Sequence, residues 1–103
     1  RACDPVVLAL ARVYAPVLLG AAAARARGGV FVAGHITQSL DGRIACANGQ
    51  SQWIGNLADR HHAHRMRALC DAVMVGARTA LVDDPQLTVR HVVGPQPLRV
   101  VVS

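Results

Sequence analysis

The 103-residue chain predicts an α/β fold, a mostly parallel sheet with helices packed on it. Three observations carry that prediction. Apolar, β-branched runs recur at residues 30–37, 71–77 and 98–103. Segments with helix caps and helical spacing lie between them. The order strand, helix, strand, short helix, strand contains no repeat or low-complexity tract. At this length one domain is the ceiling, and 52% apolar with 17% charged residues is the composition of a globular chain.

Taken in order, Pro5 and Pro16 are each placed to open a helix and Gly28-Gly29 to close one, so residues 5–27 read as a pair of short helices. They form a lead-in, residues 1–29, to a domain portion covering 30–103. "VFVAGHIT", Val30 to Thr37, reads as a buried strand, and "GRIACA" after the Asp41-Gly42 turn as a second, ending at Asn48-Gly49. Asn56 reads as a helix N-cap with Asp59 at the third helical position, where its carboxylate favours the dipole and reaches back to the cap. That helix runs through Leu69, with Ala58, Met66, Leu69 and Val73 as its apolar stripe and Arg60 and Arg67 beside it. "DAVMVGA" is a buried strand and Arg78 to Val82 a brief helix stopped by "DDP". "LTVRHVV" and "LRVVVS" are strands separated by "GPQP". The last one ends at the C-terminus with no helix after it, so a sheet face or edge is left uncovered and the sequence looks cut in mid-fold.

All eleven basic side chains are Arg and all six acids are Asp, giving a formal charge of +5. The arginines stand singly, so charge alone gives no case for a nucleic-acid partner, and most read as solvated. Cys3, Cys46 and Cys70 are odd in number and widely spaced, which argues against a disulfide framework and for a reducing cytoplasm. The apolar N-terminal stretch is interrupted by Arg12 and Pro16. Its unbroken part, Val17 to Ala24, is too short to span a bilayer, so no membrane partner is expected.

In open α/β sheets ligands bind beyond the carboxyl ends of strands, which selects the loops 37–55, 76–79 and 83–90. A phosphate fits at the start of the Asn56-capped helix, near the backbone of Ile54 and Gly55, completed by Ser51 and Arg67. Arg90 is a second clamp. Each assignment has a plainer counterpart: surface arginines for Arg67 and Arg90, a core residue or hydrophobic lid for Trp53, and a helix-ending turn for Asp83 and Asp84. "HHAH" puts His61 and His64 three apart on a helix, but no acidic or thiolate partner has metal-site spacing, so no metal is assigned. No nucleophile–base pair, phosphate loop or dinucleotide fingerprint stands out, and no catalytic residue is assigned.

Four motifs in order, "SLDGRIA" (39–45), "GxSxWI" (49–54), "HRMRALCDAVMVGARTALVDDPQLTVR" (64–90) and "PxRVV" (97–101), resemble the pyrimidine reductase domain of riboflavin biosynthesis. That domain is the C-terminal half of the bacterial bifunctional deaminase and reductase. The resemblance implies a dihydrofolate reductase-like three-layer fold, NADPH as cofactor and a homodimer. It also implies reduction of 5-amino-6-(5-phosphoribosylamino)uracil, or its diamino-pyrimidinone counterpart, to the ribitylamino product. By motif position, Ser51, Arg67, Leu87 and Arg90 are the implied substrate contacts, the serine and arginines on the ribose phosphate. Thr37, Trp53, Thr79 and Asp83 are the implied lining of the NADPH site. His35 stands where many members have lysine, and "GAR" at 76–78 replaces a more usual turn. The Glu-Gly-Gly segment that the family uses on the cofactor's phosphates is absent. A second reading is therefore kept: a shortened, non-catalytic phosphosugar- or nucleotide-binding module.

Overall fold

The computed structural model describes residues 4–50 and 54–103, which fall into two compact units divided between Gly34 and His35. The first is built on α1, Pro5–Ala26. Its start is chemically complete. Asp4 Oδ1 accepts from the Val6 N–H at 2.8 Å and Pro5 opens the first turn, where its missing donor costs nothing. Its end is a left-handed cap: Gly28 has φ 68°, the Gly28 N–H donates to Arg25 O at 3.1 Å and the Gly29 N–H to Ala24 O at 2.8 Å.

The predicted pair of helices is thus a single helix that continues through Pro16. Proline inside a helix removes one backbone bond and costs about 3 kcal/mol, which weakens a helix without obliging it to end. At 22 residues α1 is, by length and composition, long and apolar enough to cross a membrane, contrary to the shorter span read from the interrupted sequence. Its Val7, Leu10, Val13 and Leu19 are exposed, and Ala24 is its buried residue.

The second unit holds α2 (Leu57–Leu69), β1 (Ala72–Gly76), α3 (Ala77–Asp83) and β2 (Leu98–Val102). β1 and β2 pair in parallel, with Ala72 opposite Leu98 and Gly76 opposite Val102. Parallel neighbours need a crossover, and α3 with residues 84–97 supplies it. The predicted α/β class with a parallel sheet is therefore borne out. Asp84 ends α3 in the left-handed region (φ 41°), its N–H donating to Ala80 O at 3.2 Å.

Three predicted strands are absent among the described residues. Residues 30–37 have no ladder partner, and Val30, Val32 and Ile36 are exposed, because a strand exists only where another backbone completes it. "GRIACA" joins two turns of one build. The Ser39 N–H donates to Arg43 O and the Gly42 N–H to Ser39 O, and the same pattern links Cys46, Gly49 and Gln50. Gly42 (φ 80°) and Gly49 (φ 87°) occupy the position that only glycine takes without strain. "LTVRHVV" is held by side chains instead of a neighbouring strand. Gln96 spans Val89, its Oε1 accepting from the Val89 N–H at 2.8 Å and its Nε2 donating to the Val89 carbonyl at 2.7 Å.

Candidate functional site

Two clusters carry the chemistry. The first forms at the start of α2. Asn56 Oδ1 accepts from the Asp59 N–H at 2.9 Å, as a cap should. The Asp59 carboxylate then turns to the preceding segment: Thr37 Oγ1 donates to Oδ2 at 2.8 Å, and His35 Nε2 lies 3.1 Å from Oδ1. The Thr37 hydroxyl bond holds the Asp59 carboxyl below the usual carboxylate range, helped by His35 and opposed by partial burial. His62 tilts against His35, ring centroids 5.3 Å apart.

The Asp59 carboxylate thus lies at the helix start where a phosphate is expected. The Asp59 carboxylate lies against Gly55, where an added Cβ would collide with it, so the positive end of α2 already faces an anion. Arg67 lies ten residues beyond Leu57, about 15 Å along the axis, and its guanidinium is engaged at Thr88. Ser51 and Trp53 fall outside the described residues.

The second cluster lies at the other end of α2. His64 is buried at 3% exposure, the buried polar residue of the described chain. Its Nδ1 accepts the backbone N–H of Arg90 at 3.0 Å and of His91 at 3.4 Å. One turn on, Arg67 Nη1 donates to the Thr88 carbonyl at 3.1 Å, while Arg90 Nη1 donates to the Thr88 hydroxyl at 3.0 Å. The structure thus brings Arg67 and Arg90 to one short segment, which also carries the buried Leu87. Leu87 is held at φ 56°, a left-handed conformation costly for a bulky residue. Its buried side chain offsets part of that cost. Together with Val75, Asp84, Pro85 and Arg99 it lines an open depression of about 310 Å³.

Two cations share this place. Burial, then the charge of Arg90, lowers the pKa of the Arg67 guanidinium, and neither is hydrogen-bonded to a carboxylate among the described residues. Two guanidinium groups so placed have the donors that a single oxyanion can accept from. Burial first, then Arg67 and Arg90, push His64 down to about 4, so it is neutral at physiological pH.

Thr79 and Asp83, four apart and exposed, share a face of α3, which leaves the carboxyl end of β1 directly. No hydrogen bond joins them to the arginine cluster. Among the described residues no group of three or more His, Cys, Asp or Glu could hold a metal ion. Cys46 and Cys70 are free thiols, Cys70 kept protonated by burial and by Asp71. His64 was missed as a site residue from sequence. Its spacing of three from Arg67 is the available signal, whereas its spacing from His61 suggests only a metal ligand.

A parallel α/β scaffold gathers two arginines, neither hydrogen-bonded to a carboxylate among the described residues, beside a left-handed loop: an α/β domain with a candidate anion site. The profile of the RibD C-terminal domain matches residues 30–103, and the chain belongs to that family. It is 54% identical over 77 residues to the riboflavin biosynthesis protein RibD of Mycobacterium tuberculosis, an alignment covering 67% of this chain and 23% of that protein. It is 45% identical over 76 residues to the 2,5-diamino-6-ribosylamino-4(3H)-pyrimidinone 5′-phosphate reductase of Methanothermobacter thermautotrophicus, covering 71% of this chain and 35% of the relative. The crystal structure of a Thermotoga maritima diaminohydroxyphosphoribosylaminopyrimidine deaminase/5-amino-6-(5-phosphoribosylamino)uracil reductase superposes with a TM-score of 0.59 at 45% identity. That match covers 64% of this chain and 19% of the other. The fold is accordingly the dihydrofolate reductase-like one, of which this chain spans about a quarter to a third of the lengths of the two named relatives.

Proposed function

We propose that this chain is the substrate-phosphate-holding part of an NADPH-dependent pyrimidine reductase of riboflavin biosynthesis. The substrate is 5-amino-6-(5-phosphoribosylamino)uracil or its diamino-pyrimidinone counterpart, and the product is the ribitylamino compound. The carrying observation is the meeting of Arg67 and Arg90, from α2 and from residues 87–90, at Thr88 without a carboxylate partner among the described residues. Membership of the RibD C-terminal domain family supports the same reading.

In this reading Arg67 and Arg90 hold the ribose phosphate by charge-assisted hydrogen bonds, joined by Ser51, and Leu87 shapes the apolar wall beside them. The phosphate's binding energy fixes the ribose for reaction at its C1′. Thr79 and Asp83 offer a hydroxyl and a carboxylate, which suit the hydroxyls of a cofactor ribose rather than a phosphate. Thr37 and Trp53 complete the NADPH lining, the indole packing near the nicotinamide and excluding water. When bound, the reduced nicotinamide supplies the hydride. The protein's own residues position the substrate.

The test is NADPH oxidation by the full-length gene product supplied with the phosphoribosylamino-pyrimidine. Substrate-dependent oxidation is expected, and a folded, full-length protein without turnover removes the assignment. The separation of Thr79 and Asp83 from the arginine cluster favours one second reading, a phosphosugar-binding module without catalysis. Calorimetry divides the two: binding of ribose 5-phosphate without NADPH is the module's signature, and binding of both is the reductase's.

A further inference from the structure

We propose that His64 is the positioning residue of the anion site, fixing the backbone of Arg90 so that its guanidinium stands beside that of Arg67. The inference rests on the reading of these two arginines as the phosphate's partners and adds a residue that acts through them.

The tautomer follows from the contacts. Nδ1 faces two backbone donors, Arg90 N–H at 3.0 Å and His91 N–H at 3.4 Å, so Nδ1 carries the lone pair and the proton of the neutral ring sits on Nε2. Nε2 lies 3.4 Å from Arg67 Nη1. Both of those atoms are then donors, so this is a packing contact and no hydrogen bond. A ring 3% exposed cannot accept water in place of the two amides, and the segment it clamps lies 26 and 27 residues further along the chain. His91 closes the other side, edge-on to His64 with ring centroids 4.4 Å apart, and His61 stacks on His91 at 5.6 Å.

The consequence is geometric. Residues 87–91 have no strand partner, and their path is set by side chains: Gln96 on Val89, Arg67 on Thr88 and His64 on Arg90. Of these, His64 alone grips the backbone of the residue whose guanidinium the site uses. Without an acceptor at Nδ1, the part-buried Arg90 amide loses its partner or the loop moves outward, and Arg90 no longer converges with Arg67. A side-chain amide oxygen reproduces the position of Nδ1 better than a methyl group does, so asparagine is the informative replacement.

The experiment uses the full-length protein with His64→Ala, His64→Asn, Arg67→Met and Arg90→Met. Ribose 5-phosphate affinity is measured by calorimetry, and protection of the Arg90 amide by hydrogen exchange. His64→Ala is expected to lose Arg90 protection and weaken ribose 5-phosphate by about tenfold, with β1 amides still protected, while His64→Asn restores both to within about twofold. Ribose binding is expected to be equal in all four variants. The proposal is overturned if His64→Ala binds ribose 5-phosphate like the native protein, or if His64→Asn is as weak as His64→Ala, since bulk alone would then explain the effect. If the two arginine variants also bind unchanged, the phosphate reading itself fails, a result distinct from failure at His64 alone.

Discussion

Above pH 6.5 the imidazole of His64 is neutral whether the chain is folded or not. Folding takes its pKa from 6.5 down to about 4, through burial and through Arg67, Arg90, His91 and His61. Between those values the unfolded chain binds the extra proton, so stability is complete above pH 6.5 and is lost as pH falls toward 4. The loss is at most about 3 kcal/mol, and urea titrations across this range should show it diminished in His64→Asn. Asp59 changes stability in the same direction with pH, at lower values. Its lowered pKa contributes stability above the ordinary carboxylate value, lost as pH falls through the folded one. The Thr37 hydroxyl is the first cause of that lowering, so Thr37→Val should raise the Asp59 carboxyl pKa when followed by carbon-detected NMR. An unchanged titration would mean that the hydroxyl does not hold the carboxylate in solution.

At the scale of elements, α2 was legible because its signals are local. Asn56 caps it as read, and Asn56→Ala should cost about 1 kcal/mol by thermal melting. β1 and β2 were legible as continuous apolar runs, and the Gly28-Gly29 stop as a left-handed cap. Residues 30–37 and 87–93 have the same apolar, β-branched character and are not strands. A strand depends on a partner elsewhere in the chain, which composition does not reveal. Residues 87–93 show the alternative, with Gln96 and His64 serving the backbone in place of a neighbour. The close approach of this region to α2 makes a separate demand. A Cβ at Gly94 would lie 2.7 Å from the Ala68 Cβ, so Gly94→Val should destabilise by about 1–3 kcal/mol in urea titrations.

For the whole molecule, the motifs named the family before the fold was known, and Arg67, Leu87 and Arg90 do converge. Helix dipole and capping are readable locally, whereas the side-chain direction of Asp59 toward Thr37 and the meeting of both arginines at Thr88 are not. His64 stayed hidden for a related reason: burial is a property of packing between distant segments. The central claim is that Arg67 and Arg90 read the substrate's 5′-phosphate. Its most direct measurement is kcat/KM for NADPH-dependent reduction by the full-length protein, native and Arg67→Met, with the phosphorylated pyrimidine nucleoside and with its dephosphorylated form. The native protein is expected to prefer the phosphorylated substrate by at least about a hundredfold, and Arg67→Met to remove most of this preference through KM. Equal efficiency with both substrates, or a preference that Arg67→Met leaves intact, would contradict it.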